Sequence, residues 1–223
     1  MTVSAARRHH PVVLYEAALG GVPVMVEQED GARPLDVGTW AAPATASDDV
    51  LLARCVGPVL DVGCGPGRLA AELGRRGVPC LGIDVSRAAV RQARDRGAVA
   101  LRRAVEAALP GEGRWGTVLL ADGNIGIGGD PSALLRRCAE LVRPAGGVLV
   151  ETDPDREACD LSPVVLRAAD GRHSHAMPWA RLGADALRDV AAGVGLSVAE
   201  EWTAAGRTAV VLRKSAPPGP DLR

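Results

Sequence analysis

The sequence has no phenylalanine and a single tyrosine, Tyr15. Lys214 is its sole lysine, and with four tryptophans only 2% of the chain is aromatic. A core must therefore be built from Val, Leu, Ile and Ala, which pack to ordinary density when patterned correctly. Arginine is the default cation, as expected of a composition shaped by GC-rich codons, so no single Arg is informative by itself. No stripe of basic residues is interleaved with aromatics, and the net charge is −1. That excludes a nucleic-acid footprint. No run of eighteen apolar residues is present, and PVVLYEAALGG is short for a secretory core and interrupted by Glu16. Neither a membrane partner nor a targeting segment is expected. The five cysteines (Cys55, Cys64, Cys80, Cys138, Cys159) contain no C-x-x-C pair and no metal-finger spacing. An odd, scattered set reads as reduced, buried thiols in a cytoplasmic protein.

What is present is a change of rhythm. The first 45 residues contain a short helix around Tyr15–Leu19, ended by Gly20 and Gly21, then two strand-like runs flanking Asp30-Gly31, a dipeptide suited to a tight hairpin. This extension is expected to form a cover. The linker APATASDD offers Ser47 or Asp48 as the cap of a helix over 49–55. From Gly57 onward strands and helices alternate. PVLDV, PCLGIDV, AVALRR, GTVLLAD and GGVLVET are strands, Ser86 and Asp130-Pro131 open intervening helices, and LSVAEEWT with RTAVVLR forms a closing pair. Such alternation predicts a doubly wound α/β sheet in one domain over 46–214, followed by a proline-rich, disordered tail at 215–223.

The sharpest signal is VLDVGCGPGRLAAELGRRG at 59–77. A strand ends at Asp61 and turns through Gly63, Gly65 and Gly67 into a helix. Ligands of open α/β sheets sit at this end of the strands, and alternate glycines let the backbone approach them closely. Asp84 closes the next strand, where a carboxylate can accept both hydroxyls of a ribose. A dinucleotide turn wants G-x-G-x-x-G with pyrophosphate on the helix N-terminus. Here the spacing is G-x-G-x-G, Arg68 occupies the place of the third dinucleotide glycine, and Asp61 would repel a pyrophosphate. The ligand is expected to contain adenosine and to carry positive charge.

D-V-G-C-G-P-G after a strand, with an acid closing GIDVS, resembles the class I S-adenosylmethionine-dependent methyltransferases over roughly residues 56–213. The resemblance implies a Rossmann-like, seven-stranded sheet of order 3-2-1-4-5-7-6, with the last-entered strand antiparallel. It implies S-adenosyl-L-methionine as cofactor, bound by Asp61, Gly63, Cys64, Gly65, Gly67, Arg68, Asp84, Val85, Val105 and Asp122. Asp61 would hold the ammonium group and Asp84 the ribose, while Cys64 serves by its size. The family often places an Asp after the third strand to accept from adenine. Ala104 stands there in this chain, leaving that contact to Glu106 or to the backbone of Val105.

Chemistry is expected in ADGNIGIGGDP at 121–131, where Asp122 and Asn124 would face the sulfonium, and in DGRHSHAMPW, where His173 or His175 would serve as general base unless Asp122 does. The catalytic set so predicted is Asp122, Asn124 and His175. The loop lacks the N-P-P-[YF] type motif of nucleobase amino-methyltransferases, which by resemblance points to a small-molecule acceptor. The acidic run ETDPDRE (Glu151, Asp153, Asp155, Glu157) is read as solvated rather than as a magnesium site, so no metal is expected. Tyr15, Trp40 and Trp179 are candidates to face the cofactor or acceptor, or simply to pack. Three readings follow: a small-molecule methyltransferase, a cofactor-binding protein without transfer activity, and an NAD(P)-dependent reductase.

Overall fold

The computed structural model describes residues 8–29 and 31–215. Asp30 of the expected hairpin tip, residues 1–7 and the tail beyond Ser215 lie outside the described residues. The chain opens with β1 (Arg8–His9), α1 (Pro11–Leu19), β2 (Val24–Gln28), β3 (Gly31–Pro34), α2 (Val37–Ala41) and, after a 3-10 turn over Ala46–Asp48, α3 (Asp49–Leu52). Helix α1 starts four residues before Tyr15, because Pro11 presets the first turn and the His10 side chain accepts from the Val12 amide. β2 and β3 form the expected hairpin in the register Gln28 with Gly31. Its second arm stops at Pro34, since Asp36 caps α2 by accepting from the Thr39 amide at 3.2 Å.

Then come β4 (Val59–Val62), α4 (Arg68–Arg75), β5 (Cys80–Asp84), α5 (Arg87–Asp95), β6 (Ala100–Arg102), β7 (Trp115–Leu120), α6 (Pro131–Leu141) and β8 (Val142–Thr152). Four short strands follow, β9 (Cys159–Asp160), β10 (Val165–Ala168), β11 (His173–Ser174) and β12 (Arg181–Leu182). The chain closes with α7 (Ala184–Ala192), β13 (Leu196–Ala204) and β14 (Arg207–Lys214). The large sheet has the order β6-β5-β4-β7-β8-β14-β13, which is 3-2-1-4-5-7-6 among its seven strands. β14 runs antiparallel to both neighbours and the remaining pairings are parallel. Every residue of β4 and of β7 is buried, as expected for central strands covered on both faces. Leu134, Leu135, Leu141 and Leu187 of α6 and α7 pack on one face, and Leu51, Leu69 and Leu73 of α3 and α4 on the other. Ser86 and Asp130 cap α5 and α6, accepting from Ala89 and Ala133 amides at 3.0 and 2.9 Å.

A second sheet, of order β1-β11-β10-β2-β3, joins the N-terminal strands to the segment that follows β8. β10 pairs antiparallel with β2, Leu166 opposite Val26, and α1 packs beneath through Leu14 and Ala18. This roof is tied to the large sheet through α5. Glu16 accepts from the Ser86 hydroxyl (2.9 Å) and the Ala88 amide (3.2 Å), and Arg96 donates to the carbonyls of Ala41 and Ala42. No helix among the described residues is long and apolar enough to cross a membrane.

Candidate active site

Between the carboxyl ends of β4, β5 and β7 and the second sheet lies a cavity of about 630 Å³, the size of a small-molecule site. Its floor is the turn after β4. Gly63 and Gly65 have φ of +71° and +52°, a left-handed backbone that side chains disfavour. A Cβ on Gly63 would sit 2.8 Å from the Asn124 amide nitrogen, and one on Gly65 3.2 Å from the Tyr15 hydroxyl. Asn124 braces the turn, donating to the carbonyls of Val62 and Gly63 at 2.8 and 3.0 Å. Gly67 differs. It does not line the cavity, and a Cβ there would meet that of Ala93 at 2.6 Å. Its role is to let α4 pack against α5.

Asp61 is 2% exposed and one carboxylate oxygen, Oδ2, has no hydrogen-bond partner. Burial first, then the carboxylate of Asp122, with Arg68 opposing, pushes its pKa up to about 7. Asp84 accepts from the amides of Gly65 (3.0 Å) and Ser86 (2.7 Å), yet burial still raises its pKa. Each of its oxygens retains a further lone pair. Cys64 also lines the cavity, packed so closely on Gly82 that a Cβ there would be 2.6 Å from its sulfur. Burial raises its thiol pKa well above the ordinary value, which leaves size as its contribution. Val85, Ala104, Val105 and Glu106 line the far end, and the Val105 carbonyl is already held by Arg137 at 3.0 Å.

Asp122 has the left-handed φ of +52°, and its carboxylate grips Arg68 at 2.6 and 2.8 Å. Arg68 also pairs with Asp48. Arg207, from β14, binds both oxygens of Glu151 at 2.7 Å, Asp48 at 2.6 Å and Asp122 at 3.3 Å, and Glu151 accepts from the Asp122 amide at 2.7 Å. Asp48 precedes α3 but its side chain does not cap that helix; one oxygen accepts from the Thr45 amide at 2.8 Å, closing the preceding 3-10 turn, while the other reaches both arginines. Three carboxylates and two guanidiniums thus lock the strand ends behind the floor. Asp48, Glu151 and Arg207 were missed as a set, because nothing local in sequence pairs positions 48 and 207.

The structure does not bring His175 to the site. β11 pairs with β1 and β10 and carries His173 and His175 away from the cavity, and His175 is exposed, its amide bonded to the His9 carbonyl at 2.9 Å. No histidine among the described residues lines the cavity. Asp153 accepts from Arg181 and from the Asp155 amide, each at 3.0 Å, and no group of three or more potential metal ligands occurs among the described residues. Cys159 is exposed, unlike the buried thiol expected. Tyr15 and Trp40 both line the cavity, edge to face with centroids 6.2 Å apart. Val26, Val164, Leu166, Met177 and Trp179 complete the roof.

These residues fit S-adenosylmethionine. An orphaned buried carboxylate oxygen faces the cleft beside a turn that a Cβ would obstruct, and a second carboxylate with spare lone pairs closes the neighbouring strand. Residues 59–146 match the methyltransferase domain family. A ubiquinone biosynthesis O-methyltransferase of Alkalilimnicola ehrlichii is 36% identical over 113 residues, which cover 45% of each chain. This chain therefore spans less than half of that relative. Among solved structures, an S-adenosylmethionine-dependent methyltransferase of Bacteroides fragilis, in complex with S-adenosylhomocysteine, superposes with a TM-score of 0.76 at 19% identity, covering 96% of this chain and 98% of that one. The CcbJ methyltransferase of Streptomyces caelestis gives 0.60 at 19% identity, over 79% and 92%. The matched stretch, residues 59–146, holds the glycine turn and both of its acids, so this part of the chain is similar to the methyltransferase domain family, and the whole shares the fold of solved S-adenosylmethionine-dependent methyltransferases.

Proposed function

We propose that the protein transfers a methyl group from S-adenosylmethionine to a small-molecule acceptor by in-line displacement. The observation that carries this reading is Asp61 Oδ2, buried, unpartnered and beside the glycine turn. An unpaired buried carboxylate is costly unless a cationic ligand completes it. When bound, the cofactor supplies a sulfonium whose methyl group is the electrophile. Asp61 holds the ammonium group and Arg68 stands beside the amino-acid carboxylate. The backbone at Gly63 and Gly65, with Cys64, passes under the methionine, Asp84 accepts from the ribose hydroxyls, and Val85 and Val105 flank the base.

Asp122 and Asn124 act as positioning residues, the first by fixing Arg68 and the second by bracing the turn. Alignment of this kind can supply on the order of 7–11 kcal/mol of a displacement barrier. Residues 8–29 and 31–45 serve as a cover that excludes water, and the unpaired cysteines support a reducing, cytoplasmic setting. Calorimetric titration is the test. S-adenosylmethionine and S-adenosylhomocysteine should bind and NAD should not, and binding of NAD alone would overturn the proposal.

A further inference from the structure

We infer that the acceptor is an amine carried on an apolar body, an inference that rests on the methyl-transfer reading above. The half of the cavity away from the glycine turn is walled by Val26, Val164, Leu166, Met177 and Trp179, so the body of the acceptor is apolar. Charge then decides what nucleophile that body carries. In and directly behind the cleft, the carboxylates of Asp48, Asp61, Asp84, Asp122, Glu151 and Asp153 face only three guanidiniums, those of Arg68, Arg181 and Arg207. At the exposed rim, Arg33 and Arg103 are matched by Asp36 and Glu106. The interior excess is therefore negative. S-adenosylmethionine, with a sulfonium, an ammonium and a carboxylate, offsets one charge of it.

An acceptor that enters as a carboxylate or an ionised hydroxyl meets repulsion in this low-dielectric cleft, whereas an ammonium is drawn in. The crowding registers on Asp61 itself, whose ionisation burial and Asp122 both oppose. The absence of a free base points the same way. A neutral hydroxyl needs a group to take its proton, but Asp122 is bound to Arg68, Asp61 and Asp84 are taken up by the cofactor's ammonium and ribose in the reading above, and no histidine among the described residues lines the cavity. An amine needs only water for this, because its ammonium is a far stronger acid than an alcohol. Its ammonium sheds one proton to water, and the freed lone pair forms the C–N bond as the C–S bond breaks and its electron pair leaves with sulfur. The positive charge moves from sulfur to nitrogen, and the surrounding carboxylates stabilise it there.

The test uses three probes with one ring, namely benzylamine, benzyl alcohol and benzoate, binding to the full chain saturated with S-adenosylhomocysteine at pH 8 and low salt. Ligand-observed NMR gives each dissociation constant. Benzylamine should bind at least tenfold more tightly than benzoate and severalfold more tightly than the alcohol, with the preference shrinking in high salt. Met177→Lys puts a cation on the roof and should invert the order. Equal binding of the three rings, or an order that Met177→Lys leaves untouched, overturns the inference. The titration with S-adenosylhomocysteine comes first, so a failure to load counts against the methyl-transfer reading, and a failure to discriminate among the rings counts against the amine alone.

Discussion

Asp61→Asn separates what the buried carboxylate costs the fold from what it gives the site. In the folded protein its pKa is raised from 3.8 to about 7 by burial and neighbouring carboxylates. Below pH 4 the group is protonated whether the chain is folded or not, and it costs nothing. Between pH 4 and 7 the unfolded chain ionises freely and the folded one does not, so stability falls across that window and levels off above it. At about 1.36 kcal/mol per pH unit the loss reaches about 4 kcal/mol, an upper figure for so buried a group. For a chain of this size that is about 8–16 °C in Tm. The ligand-free Asn variant should therefore gain stability over the parent as pH rises from 4 to 8, whatever constant offset its amide introduces.

Binding should move oppositely. An ammonium group requires the ionised carboxylate, so S-adenosylhomocysteine should bind the parent up to tenfold more tightly per pH unit below 7, releasing a proton, and flatten above. The variant should bind at least tenfold more weakly at pH 8 and lose this slope. Differential scanning calorimetry and titration in two buffers of different ionisation enthalpy read both. A stability difference that does not change with pH, or an undiminished slope in the variant, would refute the account of Asp61.

Arg207→Met leaves Asp48, Glu151 and Asp122 with Arg68 alone, and breaking such a buried pairing should cost about 3–5 kcal/mol in urea unfolding. A loss below about 1 kcal/mol would mean that the network is a bystander. Gly67→Ala forces a Cβ to 2.6 Å from that of Ala93 in a left-handed backbone, and should cost about 1–3 kcal/mol. Cofactor affinity should change less than about twofold, since every tenfold is about 1.4 kcal/mol of direct contact. A tenfold loss in the folded variant would return Gly67 to the site. Asp84→Ala should weaken S-adenosylhomocysteine binding at least tenfold in calorimetry, and unchanged affinity would remove Asp84 from the ribose.

The large sheet was legible because its signals are local. Buried strands such as Val59–Val62 read as apolar runs, Ser86 and Asp130 announce helices, and the glycines after Val62 leave few alternatives for the turn. The second sheet was not. β1 and β11 are two residues long, too short to show a period of two, and β10 is paired with β2 far upstream. The site divides similarly. Asp61 and Asp84 were visible from their places at strand ends, but the partners of Asp122 come from positions 68, 151 and 207, brought together only by the closed sheet. His175 looked like a base because its segment follows β8. The strand it flanks turns it outward.

The pairing of β2 with β10 divides the labour of the molecule between separate stretches of chain. The residues proposed to hold the nucleoside lie between Val59 and Asp122, inside the span shared with the methyltransferase domain family, while the apolar wall opposite is woven from residues 24–28 and 164–179, outside it. Substitutions in the weave can retune which guest is admitted without disturbing the grip. Divergence should therefore concentrate there, and a chimaera that exchanges both stretches together would carry a new preference on an unaltered base.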